Sequence, residues 1–226
     1  MHNMKFVKNH IVFYAFFCFM TSLLADDAGT LFQSAIRDDE SAAIALALRG
    51  ADLNRRNEKG EHALLVAIRH GSSKVANFLV RQNVVDVNAK SPAGETPLML
   101  AAIRGDLPLA RRLVVDRKAE VNQPGWTALH YAASSKAPAS PEIVRLLLEH
   151  HAYIDAESPN RTTPLMMAAQ YGLPEVVALL LEEGADPTLR NDKGLTAIDF
   201  ARMARREADA ERIAAAIRAR QPAGRW

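Results

Sequence analysis

The sequence has almost no cysteine: one residue in 226, Cys18. That excludes a disulfide scaffold and any zinc site built on cysteines. It also lacks a run long enough to cross a bilayer. Its most apolar stretch, Ile11 to Leu24 (IVFYAFFCFMTSLL), is 14 residues without a charge, where a spanning helix needs about 20. An excess of one charge sign is missing as well. The first 25 residues hold Lys5 and Lys8 and no acid, so the other 201 carry 26 charges of each sign. A balanced chain has no global pull on nucleic acid or anionic lipid. Catalytic signatures are absent too. There is no G-x-S-x-G, no phosphate-cradling glycine loop, and no i, i+4 pair among His62, His70, His130, His150 and His151. These absences predict no enzyme, no metal site and no cofactor. Hydrophobic content of 49% and charged content of 24% exclude global disorder. The length allows one or two globular domains with a self-supporting core.

The N-terminus reads as an address. Met1 to His10 is polar and basic, the apolar core follows, and Ala25 precedes Asp26 and Asp27. This pattern predicts a secretory signal over 1–25 with cleavage after Ala25; an uncleaved anchor is the other reading. Cys18 follows Phe16 and Phe17 rather than a small residue, which argues against a lipid-modified cysteine. Cys18 leaves with the signal, and a thiol-free mature chain suits an oxidising compartment.

The rest of the chain repeats. One column runs Leu31, Leu64, Leu98, Leu129, Leu165 and Ile198, in steps of 33, 34, 31, 36 and 33. A second closes each unit: Asn54, Asn88, Asn122, Asp155 and Thr188, in steps of 34, 34, 33 and 33. Around them sit ETPLMLAAIRG (95–105), WTALHYAAS (126–134), TTPLMMAAQYG (162–172) and GLTAIDFA (194–201). Thr-Pro starts a helix well, because Thr caps exposed N–H groups and Pro at the first helical position loses no needed donor. The Ala-Ala pairs let helices approach closely. Gly71, Gly105 and Gly172 fit left-handed helix stops. Stacked pairs bury an apolar face that one pair cannot.

On these motifs the sequence resembles an ankyrin-repeat protein with a secretory signal, of the bacterial periplasmic type. The resemblance implies an all-α solenoid of about six helix-turn-helix repeats with β-hairpin-like loops. Its units would be about 28–54, 55–88, 89–122, 123–155, 156–188 and 189–220, within a domain over 26–220. Residues 221–226 would form a C-terminal tail. Gln33, Arg37, Asp38, Asp39 and Glu40 give the first unit the polar face of an end cap, and Glu207 to Arg220 reads as a C-terminal cap helix. Met99, Met166 and Met167 read as core filler. His130 holds the motif's own histidine place, where a structural hydrogen bond is expected.

The resemblance also implies function. A repeat array binds proteins on a concave surface, made in this family's register by loop places and the two residues after Ala-Ala. Those places are Ile36-Arg37, Arg69-His70, Ile103-Arg104, Ser134-Ser135 and Gln170-Tyr171, with Glu58, Lys59, Glu61, Glu95, Trp126 and Thr162 in the loops. Arg37, Arg69 and Arg104 would form a basic stripe, and Trp126 stands on a loop three residues short. Trp and Arg are favoured hot spots, although Arg there can be merely solvated and Trp126 can pack on its neighbour. The partner-binding set is therefore Arg37, Arg69, His70, Ile103, Arg104, Trp126, Gln170 and Tyr171. Ser134 to Pro141 carries three extra residues, read either as loop drift or as a contact site. The expectation is an exported, monomeric, periplasmic module that binds a protein partner, an enzyme or a toxin, and neither nucleic acid nor membrane. Two alternatives remain. One is a metal, haem or enzymatic site of His130, His150 and His151 beside the insert. The other is a membrane-tethered spacer.

Overall fold

The computed structural model describes residues 29–220. The expected signal over 1–25, its cleavage point and the tail 221–226 lie outside the described residues. Among the described residues the fold is all-helical. The helices are α1 (29–37), α2 (Glu40–Leu48), α3 (Ala63–His70), α4 (Ser73–Arg81), α5 (Pro97–Arg104), α6 (Leu107–Arg111), α7 (Ala128–Ser134), α8 (Ser140–Glu149), α9 (Pro164–Tyr171), α10 (Pro174–Glu182), α11 (Ala197–Met203) and α12 (Glu207–Arg220). The loops carry hairpin-type backbone bonds, Asn57 N–H to Glu61 O (2.9 Å), Ser158 N–H to Thr162 O (3.1 Å) and Asn191 N–H to Leu195 O (3.0 Å), and among the described residues one isolated antiparallel bridge, Arg56 with His62.

The chain divides into two compact units, one of residues 29–86 with 91–93 and one of residues 87–90 with 94–220. In the second unit α5, α7, α9 and α11 pack each on the next, and α6, α8, α10 and α12 form a second row. The Leu column explains this packing. Leu98, Leu129 and Leu165 are at most 1% exposed, as are Leu31 and Leu64 in the first unit. Each such side chain contributes about 1.5–3 kcal/mol through burial. Ile198 remains half-buried.

A Thr stands at the N-cap of α5, α7, α9 and α11, whereas His62 holds that place before α3. Thr96 N–H donates to Met99 Sδ (3.3 Å) while Thr96 Oγ accepts from Met99 N–H (3.3 Å). Thr163 and Met166 repeat the arrangement. In α11 the same place is Asp199, whose Oδ2 accepts from Thr196 N–H at 2.7 Å.

The closing column is a ladder between neighbouring repeats. Within the first unit Asn54 Oδ1 accepts from Asp86 N–H (2.8 Å). Within the second, Asn88 accepts from Glu120 N–H (2.9 Å), Asn122 from Tyr153 N–H (2.9 Å) and Asp155 from Asp186 N–H (3.0 Å). Thr188, last in the column, turns its hydroxyl to Asp186.

One sequence expectation needs correction. Gly71 and Gly105 are left-handed stops (φ 76° and 69°), but Gly172 is extended (φ −79°, ψ −171°). Gly172 is there for space: a Cβ would lie 2.0 Å from Ala133 O. The acids of the first unit do more than solvate an end. Asp38 Oδ1 accepts from Val75 N–H (3.0 Å), Glu40 pairs with Arg81 (3.1 Å), and Asp39 caps α2. The insert over 134–141 is packed against the preceding repeat. Ser135 Oγ donates to Ile103 O (2.9 Å), and Ala137 fills the space beside Gly105. A further irregularity had no sequence expectation: Arg112–Asp116 continues α6 as a π-helical turn, closed by Arg117 N–H to Arg112 O (3.1 Å).

Candidate protein-contact face

In the second unit the shortened loop after Asn122 puts Trp126 directly before the cap residue Thr127. Gln123 Nε2 holds the loop by donating to Trp126 O (2.9 Å). The indole therefore falls on the first turn of α7, edge-on to the His130 ring, with centroids 5.2 Å apart and planes at 76°. Such aromatic pairs contribute about 0.5–1.5 kcal/mol beyond their burial. Trp126 thus packs within its own repeat and stays partly exposed. Ile103, Trp126, His130, Tyr131, Ser134 and Met167 enclose a largely apolar groove of about 290 Å³. Burial pushes the Tyr131 phenol up, and the nearby Glu95 carboxylate adds to this. The ring faces the groove uncharged.

His130 is the fixed point of the groove. It is fully buried. Its Nδ1 accepts from Thr127 N–H (3.2 Å) and Thr127 Oγ (2.9 Å), and its Nε2 donates to Thr162 O (2.9 Å). These bonds define the neutral Nε2–H tautomer, and burial pushes its pKa down. The structural role expected for this histidine is what the geometry shows. Neither ring nitrogen is left to hold a metal, and among the described residues no three His, Cys, Asp or Glu gather as a metal site. His150 follows the end of α8 and His151 stands exposed beyond it (φ 64°).

Most expected contact residues are accessible. Ile103 (37% exposed) and Tyr171 (47%) stand at the ends of α5 and α9, with Arg104 exposed and Gln170 half-buried beside them. In the first unit Arg37, Arg69 and His70 are exposed. Arg69 is bound to Glu61 as an ion pair. That pairing and a bond from Asn57 bring Glu61 below its usual range, although burial alone would raise it. Two of the expected surface places are buried. Thr162 is 2% exposed and takes the His130 bond, and Ser135 is 2% exposed against α5. Met99 and Met166 are core, whereas Met167 is half-buried and lines the groove.

The sequence reading missed Tyr131 and Met167. Both occupy the place between the capping residue and the Ala pair. That column runs Gln33, Val66, Leu100, Tyr131, Met167, Phe200. Its variation among constant Leu and Ala neighbours was the available signal. Gln33 and Val66 line a second depression in the first unit.

Stacked helical pairs with accessible first-helix ends and loops define a repeat scaffold for contact with other macromolecules. The chain belongs to the ankyrin-repeat family: the family model described as "Ankyrin repeats (3 copies)" matches residues 31–125, 81–160, 98–191 and 136–212. Ankyrin repeats bind protein partners. The chain is 31% identical over 155 residues to the mouse nuclear factor NF-kappa-B p105 subunit, covering 66% of this chain and 16% of that protein. It is 36% identical over 98 residues to the Arabidopsis thaliana E3 ubiquitin-protein ligase KEG, covering 42% and 6%. The chain thus spans a small part of these relatives' length. Its fold is similar to an ankyrin repeat domain from Acinetobacter baumannii AYE (TM-score 0.67, 28% identity, 82% of this chain and 96% of that one). It is also similar to a chain of the Bdellovibrio bacteriovorus complex of a predatory endopeptidase with an immunity protein (TM-score 0.70, 26% identity, 82% and 97%). Among the described residues no helix is long and apolar enough to cross a membrane.

Proposed function

We propose that the chain is an exported, monomeric, non-enzymatic binding protein that holds or blocks a protein partner in the bacterial periplasm, the partner being an enzyme or toxin. The observation that carries the reading is the Trp126 groove: a concave apolar site of about 290 Å³ with Ile103 exposed at its edge. Tyr171 stands exposed in the following repeat. Apolar pockets with aromatic anchors are where binding energy concentrates. The likeness to a chain from an endopeptidase–immunity protein complex supports the choice of partner class. The basic, apolar, Ala-terminated segment 1–25 supports export.

Affinity capture from the export compartment tests the reading, with Trp126→Ala/Arg104→Ala as the control. The double variant should keep its helical circular dichroism and bind the captured partner more weakly by over about 2 kcal/mol. Unchanged affinity would remove this face from consideration. Adding the chain to the captured enzyme separates holding from blocking, because only blocking stops turnover. A mature N-terminus at Asp26 by mass spectrometry supports export; retention of residues 1–25 in membranes contradicts it.

A further inference from the structure

We propose that Met167 is a modification site: a peroxide converts its thioether to the sulfoxide, and this bars apolar side chains from the Trp126 groove. The inference rests on the reading above that the groove docks a protein partner. The described methionines are Met99, Met166, Met167 and Met203, and the fold treats them differently. Met99 and Met166 are buried in the first turns of α5 and α9. Their sulfurs accept from Thr96 N–H (3.3 Å) and Thr163 N–H (3.5 Å). Met167 follows Met166 directly, but one helical step of about 100° sends it to another side of α9. It is half-buried and lines the groove with Ile103, Trp126 and Tyr131. Met203 is exposed in α11, away from the groove's lining.

Accessible methionines are the ones that oxidise, and the product is reducible. A sulfur lone pair attacks one oxygen of hydrogen peroxide. An S–O bond forms and the O–O bond breaks. The departing hydroxide takes the proton of the transferred oxygen and leaves as water. Sulfur loses two electrons, and the peroxide gains them. An apolar, adaptable side chain thereby becomes a polar one. The new oxygen needs a hydrogen-bond donor wherever water is excluded. Two donors among the lining residues are already engaged: Ser134 Oγ with Tyr131 O (3.0 Å) and His130 Nε2 with Thr162 O (2.9 Å). An apolar side chain entering the groove would strip water from the sulfoxide and bring no donor in return. Oxidation of Met99 or Met166 would break a cap instead, and burial keeps peroxide from both.

The test follows the full chain by NMR, with labelled methionine methyls and tryptophan indoles, during treatment with hydrogen peroxide. Met167 and Met203 should convert at least about tenfold faster than Met99 and Met166. Equal rates for Met166 and Met167 overturn the proposal. The Trp126 indole resonance, assigned with Trp126→Phe, should shift in step with Met167. It should do so in Met203→Leu and stay in place in Met167→Leu. The neutral dye N-phenylnaphthylamine serves as the apolar probe. It should move the Trp126 resonance of the reduced chain and bind the oxidised chain at least about tenfold more weakly. Methionine sulfoxide reductase with a dithiol should restore the affinity. Met167→Leu should bind the dye equally before and after peroxide. A dye that ignores Met167 oxidation, or that leaves Trp126 unmoved in the reduced chain, defeats the idea. So does a helical circular dichroism spectrum lost as Met167 oxidises, because the effect would then be unfolding. Partner capture with Trp126→Ala/Arg104→Ala uses no peroxide and judges the binding reading by itself. Slow oxidation of Met167 strikes only the present one.

Discussion

Gly172 and Gly194 show how two identical residues answer to different physics. Gly194 has φ 73° with nothing within 4 Å of an added Cβ, so its requirement is conformational. Gly194→Ala should lower stability by about 1 kcal/mol, the scale of a left-handed non-glycine residue. Gly172 has a φ that any residue adopts, and its requirement is steric. Its Cβ would meet Ala133 O at 2.0 Å and Ala168 Cα at 3.0 Å, both backbone atoms. Gly172→Ala should be the more severe change, about 3 kcal/mol, because overpacking must move a helix. Urea unfolding of the two variants measures the difference. The motif marks one Gly after the first helix in several repeats, and it cannot distinguish these roles. The distinction depends on how near the preceding repeat lies.

At the scale of the element, the start of α7 combines a cap with a link to the next repeat. Met99 and Met166 serve the cap through sulfur, whereas His130 also donates to Thr162 O at 2.9 Å. His130→Met should keep the cap and leave that carbonyl with only its bond from Ser158 N–H (3.1 Å), at about 1 kcal/mol. The loss should depend on pH. Burial pushes both His62 and His130 below the ordinary histidine value of 6.5, so the fold favours their neutral forms. The unfolded chain binds the extra protons first. Stability should therefore be full above about pH 6.5, fall as pH drops through that value, and level off below the folded pKa values. Denaturant midpoints across this range should converge for wild type and His130→Met as pH falls, since the variant has one fewer histidine to charge. Parallel curves would remove His130 from the acid response. The π-helical turn at Arg112–Asp116 is the other element-scale feature, and no local propensity announced it.

Across the whole molecule, repeats cohere through interfaces, and the Asn ladder supplies polar links there. Asn122 takes Tyr153 N–H (2.9 Å) and gives to His151 O (2.7 Å). Asn122→Ala leaves both without this partner and should lower stability by about 2 kcal/mol. It should also reduce the denaturant slope, because a weakened interface lets neighbouring repeats unfold separately. A normal slope would show that apolar packing alone couples them. The period was visible in the sequence, since Leu recurs where each first helix meets the core and Thr where most of the later first helices begin. Helix type, the buried Leu and Ala columns, the α12 span and the structural place of His130 followed from those local rules. Trp126 was also legible, as a large aromatic on a shortened loop. The groove it lines was not, because Met167 and Ile103 reach it from other repeats. Nor could composition show that Arg69 is matched by Glu61, that Thr162 is buried, or that the insert packs on α5. Local sequence determined where each helix starts, stops and turns its apolar side, because capping, propensity and periodicity act within a few residues. Only the tertiary structure decided which side chains remain available for contact, because availability depends on atoms about thirty residues away, brought close by the stacking of repeats.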